Sequence, residues 1–410
     1  MTAHDSWPGK LCLAGWRFFS NSVASGGACV ALVLTSCVSP TSPSPYLTPR
    51  VEVEKVTRAG VLNFVPELDA KKVLSHGDFG GWVKSGSLWL GEVEERYLGA
   101  FVTPGKAAWL AKLGSSVAAP LFLSGENLIV ALQDGRVLSL RVRDGKLNWE
   151  QNLGTMVVRQ MSRSGQVLFM VTAEDKLYCL DYASGVVKWF YGDKKGSGVA
   201  LRQLTAPLLV KNVVVYGLRD GSIHGVDKNS GNLRWIYRSD AVAGAHTFLD
   251  IVGDLALVNK SIMFARADGL VDSFDLDDHG GLVKEKSPRL RQASHLSAIN
   301  VASFTAGVYY VGTESGDVVA LQSARGEQLW KTALGSPVSM LYSTESFIFA
   351  STLSGRLVIL AAKDGRVVWS DMLESTLLVR PLLEDGRLYV STPHKVIYSY
   401  ELRSLRKHFE

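Results

Sequence analysis

Chemistry in a folded chain needs nucleophiles, acids, bases or metal ligands at set spacings, so those residue types come first. The thiols are Cys12, Cys29, Cys37 and Cys179. The imidazoles are His4, His76, His224, His246, His279, His295, His394 and His408. No two histidines stand at the short spacing that offers two nitrogens to one zinc ion. No Gly-x-Ser-x-Gly turn presents a nucleophilic serine, and no glycine-rich loop is built to cradle phosphate. Carboxylates such as Asp134, Asp181, Asp220 and Asp227 stand at turns, where such groups accept hydrogen bonds from nearby backbone. The sequence therefore assigns no catalytic residue, no metal site and no cofactor.

The elements that must position these residues come from a chain rich enough in apolar side chains, at 47% hydrophobic and 20% charged, to build a sizeable core. Its formal charge of +5 is spread among interspersed acids and bases. No basic tract tracks a phosphate backbone, so nucleic acid is not an expected partner. No apolar run reaches the ~20 residues that a membrane-crossing helix needs.

One thiol does have a chemistry. Residues 26–36 form a short apolar stretch preceded by Lys10 and Arg17, the pattern of a secretory signal. It ends in Leu34-Thr35-Ser36-Cys37, which resembles the lipobox of bacterial lipoproteins. The resemblance implies cleavage before Cys37, a diacylglycerol on its sulfur and, with Val38 rather than Asp next, delivery to the outer membrane. A second candidate, Gly26-Gly27-Ala28-Cys29, lacks the leucine and would cut the apolar run in half. The expected order is a signal peptide over 1–36, a lipidated Ser/Pro-rich tether over 37–50 that cannot pack, and a folded body over 51–410. With Cys37 lipidated, Cys179 is the one remaining thiol and no disulfide forms within the mature chain.

The body is a repeat. Asp144-Gly145-Lys146-Leu147-Asn148-Trp149 follows the alternating run Arg136-Val137-Leu138-Ser139-Leu140. The same Gly-x-x-x-Trp spacing recurs at Gly105/Trp109, Gly185/Trp189, Gly231/Trp235, Gly326/Trp330 and Gly365/Trp369. Successive tryptophans fall 40, 40, 46, 95 and 39 residues apart, and the 95 is two units. The degenerate unit between them runs through Asp268-Gly269 and Gly280-Gly281, with Lys284 in the tryptophan's place. Two further strands precede each glycine turn. Val396-Ile397-Tyr398-Ser399-Tyr400 begins a last copy, and Val51 to Val56 alternates well enough to close it. Four short strands per ~40 residues, eight times over, predict an all-β fold: an eight-bladed β-propeller of four-stranded antiparallel blades. A tryptophan repeated once per blade is expected to wedge between neighbours rather than cage a ligand.

The Gly-x-x-x-Trp unit resembles the quinoprotein-type (PQQ-like) repeat, over about 80–410. Within that group the chain is most similar to the BamB family, lipoproteins of the outer-membrane β-barrel assembly (BAM) machinery. Two segments carry the likeness: Val199-Ala200-Leu201-Arg202-Gln203-Leu204-Thr205-Ala206-Pro207 and Leu249-Asp250-Ile251-Val252-Gly253-Asp254. The resemblance implies docking on a POTRA domain of BamA through Leu201, Arg202, Asp250 and Asp254, with unfolded outer-membrane protein precursors as further partners. It also implies a periplasmic face at the outer membrane, reached through the lipid alone. An Arg202–Asp250 bridge across blades is the structural alternative for that pair. The functional alternative is a periplasmic PQQ-dependent dehydrogenase or small-ligand-binding propeller. Against the dehydrogenase stand the short chain and the lack of an adjacent cysteine pair.

Overall fold

Runs of five or six residues such as Asn127–Ala131 and Arg136–Arg141 are too short to fold alone, and β-branched and aromatic side chains fit them to a pleated sheet. The structure, a computed structural model, describes residues 57–63, 81–93, 96–103, 106–192, 206–238, 249–283, 296–323, 326–384, 386–392 and 396–402. In it the strands form eight antiparallel sheets, seven of them built only from chain neighbours. Seven blades span 82–112, 122–152, 162–191, 208–238, 251–275, 299–333 and 338–372. The eighth is composite: Thr57–Asn63 pairs with Val396–Glu401, which pairs in turn with Arg387–Ser391 and then Leu382–Glu384. Closure thus uses a segment later than the expected 51–56, which lies outside the described residues.

The first strands of consecutive blades touch each other, as in blades 3 to 7, so they are innermost and the tryptophan strands outermost. Ring closure is visible in the core. It divides into eight apolar clusters, each shared by two consecutive blades. The cluster at the seam joins Trp82, Trp89 and Phe101 of blade 1 to Ile397 of blade 8. Each fully buried Leu, Val or Ile contributes roughly 1.5–3 kcal/mol, so the seams are comparable and no single one carries the ring.

Blade 5 departs from the expected four strands, showing three among the described residues. After Asp275 the Asp277 carboxylate accepts the backbone N–H groups of His279 (2.8 Å) and Gly281 (2.7 Å). That folds the chain into a turn that Leu276 and Leu282 close as an isolated bridge. Lys284 lies outside the described residues.

Candidate functional site

The tryptophans belong to the frame. Trp109, Trp149, Trp189, Trp235 and Trp330 each donate the indole N–H to a carbonyl in the following blade: Val142, Tyr182, Lys228, Gly280 and Ala362, at 2.7–3.2 Å. For Trp109, Trp149, Trp189 and Trp330 the turn glycine of that next blade packs against the ring. A Cβ at Gly185 would come within 2.4 Å of Trp149, and the φ of +73° there already favours glycine. The Gly-x-x-x-Trp spacing therefore encodes a lock between blades.

A different pattern appears in one sector. Among the described residues seven charged residues are buried: Glu92, Arg159, Asp175, Arg219, Asp250, Arg266 and Asp272. All but Glu92 belong to blades 3–5, so buried charge is concentrated in three adjacent blades. At its centre two guanidiniums clamp one carboxylate. Arg159 donates from Nη2 to Asp175 Oδ1 at 3.3 Å, and Arg219 donates from Nε to Asp175 Oδ2 at 2.9 Å. Arg159 also reaches the Gly217 carbonyl of blade 4, and Arg219 the Ala173 carbonyl of blade 3. Each arginine therefore grips the other's blade.

The electrostatics match the burial. Desolvation pulls the Arg159 guanidinium down to about 10, with Asp175 the largest opposing influence and Asp250 a smaller one. Tyr216, whose hydroxyl donates to the Asp175 carbonyl at 3.4 Å, is pushed up by the same burial. In blade 5 Arg266 pairs with Asp268, the Nε–Oδ1 distance being 2.9 Å. Asp250 accepts the Ala267 N–H at its backbone carbonyl.

Backbone geometry sets Asp175 apart from most copies of its turn. The turn after the second strand of a blade ends on glycine in five copies, Gly135, Gly221, Gly269, Gly316 and Gly355, all at positive φ. Blade 3 puts Asp175 there, at φ +59°, as blade 1 puts Arg96 there at φ +63°; Asp enters this left-handed region more readily than most residues with a Cβ. Sequence reasoning missed Asp175, Arg159 and Arg219. The available signal was Glu174-Asp175 where five other copies read Asp-Gly or Ser-Gly.

Of the expected docking residues, Leu201 and Arg202 lie outside the described residues, as does Cys37. Any Arg202–Asp250 bridge is outside them too. Asp250 is 4% exposed, not the surface carboxylate that direct docking calls for; it stands at the start of the innermost strand of blade 5, beneath the surface. Asp254 is partly exposed, and the two aspartates have different surroundings. A bulge in the innermost strand of blade 5, between Val252 and Ala256, carries Asp254 to Arg380 of blade 8. The two occupy the same repeat position, two residues before Ala256 and Leu382, which pair with Met263 and Tyr389. Their ion pair joins blades three places apart in the ring.

No reacting constellation forms around the described nucleophiles. Ser222 Oγ stands between Asp220 and His224 Nε2 (3.1 Å), and the other imidazole nitrogen meets the Tyr191 hydroxyl at 3.1 Å. The order is carboxylate, serine, imidazole, whereas a hydrolytic relay needs the imidazole in the middle. Burial lowers the His224 pKa and pushes the Cys179 thiol up to about 11, away from the reactive thiolate.

Comparison with known proteins agrees with this frame. The family model described as outer membrane protein assembly factor BamB matches residues 95–288 and 315–409. Curated relatives of that name include one from Pseudomonas aeruginosa, 27% identical over 50% of this chain and 53% of its own length. Another, from Yersinia pestis, is 22% identical over 53% of this chain and 54% of its own. The chain thus spans about half the length of the curated relatives it matches. Among solved structures, BamB from Moraxella catarrhalis aligns with a TM-score of 0.67 at 18% identity, covering 85% of this chain and 100% of that one. Quinohemoprotein alcohol dehydrogenase from Comamonas testosteroni aligns at 0.61 and 14%, covering 85% and 76%; both likenesses speak to the fold. With the family model spanning well over half of its residues, the chain belongs to the BamB family of outer membrane protein assembly factors.

Proposed function

We propose that this chain is a non-enzymatic scaffold lipoprotein of the BAM complex, tied to the periplasmic face of the outer membrane by a diacylglycerol on Cys37. In this reading residues 1–36 are removed, 37–50 form the tether, and the propeller docks on a POTRA domain of BamA. The single observation that carries it is family membership across the propeller. Leu201 supplies an apolar anchor and Arg202 and Asp254 the directional charge around it. Asp250 acts from below, supporting the backbone at the start of blade 5. Unfolded outer-membrane protein precursors are the second class of partner.

Affinity purification of the full-length chain from a detergent-solubilised envelope tests the reading. BamA is expected in the eluate, and mass spectrometry of the mature N-terminus is expected to find an acylated cysteine at 37. A eluate without BamA contradicts the docking, and an unmodified residue 37 contradicts the anchor. The fold likeness to a quinohemoprotein dehydrogenase supplies the rival reading. A rise in Tm on adding PQQ and calcium would favour it, because a ligand of the native state must stabilise that state; no shift is expected.

A further inference from the structure

At four seams among the described residues the outer strand ties to the next blade a second time, two residues after its tryptophan. Tyr237 donates to Asp272 Oδ2 at 3.0 Å, Thr332 donates to the Gly365 carbonyl at 2.7 Å, and Asp371 accepts the Tyr400 hydroxyl at 3.0 Å. Between blades 3 and 4 the same position is Tyr191, whose hydroxyl meets His224 Nδ1 at 3.1 Å. The described residues include two histidines, and the other, His279, is exposed in the Asp277 turn. The tie between blades 3 and 4 therefore runs through the side chain whose ordinary pKa puts its charge change between about pH 5 and 8.

The surroundings of His224 fix which nitrogen carries the proton. Ser222 has one hydroxyl proton and gives it to the Asp220 carboxylate. Towards His224 Nε2, at 3.1 Å, the serine is left to accept, so Nε2 carries the N–H. Nδ1 is then the acceptor and Tyr191 donates to it. The donors run one way, from Tyr191 through His224 and Ser222 to Asp220, and the chain crosses the seam once. The imidazole also lies against two rings, Tyr191 at 5.8 Å and, edge-on, Tyr216 at 6.0 Å between centroids. Both pack in the apolar cluster of this seam, with Phe169, Cys179 and Val214. The charged groups facing the imidazole are Asp220 and Arg238 of blade 4 and Asp175 of blade 3.

A second proton on His224 turns Nδ1 from acceptor into donor. It ends the donation from Tyr191 and leaves a cation among the rings of the seam. Burial, the largest influence on this imidazole, holds its pKa below 6.5; Asp220 and Asp175 oppose the shift and Arg238 adds to it. An opened seam, with the imidazole in water, therefore binds the proton more readily than the closed one. The stabilisation that His224 gives the closed seam is complete above 6.5 and is lost as the pH falls below it.

We propose that His224 is a pH-sensitive switch in the ring: neutral, it ties blade 3 to blade 4 through Tyr191, and protonated, it favours the opening of that seam. The switch is independent of the docking reading above.

Cys179 reports the opening. Its thiol is fully buried in the same cluster, so a disulfide reagent reaches it when the seam parts. Modification of Cys179 by dithiodipyridine is followed by peptide mass spectrometry in the full chain, at pH 7.5 and at pH 5. His224→Leu is the non-titrating reference, because blade 2 carries Leu138 at the matching position, opposite the residue after its tryptophan. Dividing the wild-type rate by the His224→Leu rate at each pH cancels the acid–base behaviour of the thiol itself. That ratio is expected to rise about threefold or more on acidification. A smaller rise, or none, overturns the switch. Should His224→Leu not fold, His224→Gln takes its place as the reference, and the same ratio decides.

Discussion

Asp175 is the residue at which two local rules conflict. Its turn position is glycine in five other blades, so backbone preference alone would make Asp175→Gly a stabilising change. The buried partners argue the reverse, because glycine leaves Arg159 and Arg219 without their shared carboxylate. Uncompensated buried charge costs more than left-handed strain, and we expect Asp175→Gly to lose about 3 kcal/mol, measured by urea unfolding. A gain in stability would mean that the two arginines do not depend on the carboxylate. Asp227 offers a test by pH. Backbone N–H groups, that of Ser230 first, with the Arg234 guanidinium hold its carboxyl down at about 2. The unfolded value is about 3.9, so the stabilisation is complete above that pH and is lost as pH falls through 2. Asp227→Asn is expected to be less stable than wild type at pH 7 and to converge with it as the pH approaches 2. The repeat made Asp227 legible as a turn residue, whereas the clamp at Asp175 depends on residues 16 and 44 positions away meeting across a seam, which no local spacing encodes.

Elements in this ring are held by what the next blade offers. Trp149 buries its ring against Gly185 and hydrogen-bonds the Tyr182 carbonyl, so Trp149→Ala is expected to cost about 3–5 kcal/mol. Gly185→Ala should lower the Tm as well, because its Cβ meets the indole at 2.4 Å; an unchanged Tm in a differential scan would show that the seam relaxes freely. Eight units, their strand order and the glycine–tryptophan lock were all legible, because each is written several times and the copies correct one another. The exceptions were legible only where a copy breaks pattern. Lys284 marked blade 5 as degenerate, yet the turn through Gly280-Gly281 that replaces the regular hairpin depends on Asp277 capping two backbone N–H groups. Alternation at 51–56 points to a closing strand there, whereas the observed pairing runs from Thr57 against Glu401 to Asn63 against Val396.

On the scale of the whole molecule, two blades are irregular among the described residues, the fifth with three strands and the composite eighth, and the Asp254–Arg380 pair joins them. Both side chains are partly exposed, at 33% and 54%, so a double-mutant cycle with Asp254→Asn and Arg380→Met should give less than about 1 kcal/mol of coupling. That coupling should fade in 1 M salt; a coupling that survives high salt would place the pair out of solvent. Engagement with Arg380 also constrains Asp254 as a docking residue, since a partner must compete for the same carboxylate. The family places this ring among assembly factors, and the proposed docking runs through the connection between blades 3 and 4. Photo-crosslinking tests that most directly, with the probe at position 202 and, as control, at position 363 in the exposed turn of blade 7. BamA is expected to crosslink at 202 and not at 363; equal crosslinking at both positions, or crosslinking at 363 alone, would contradict docking through that connection.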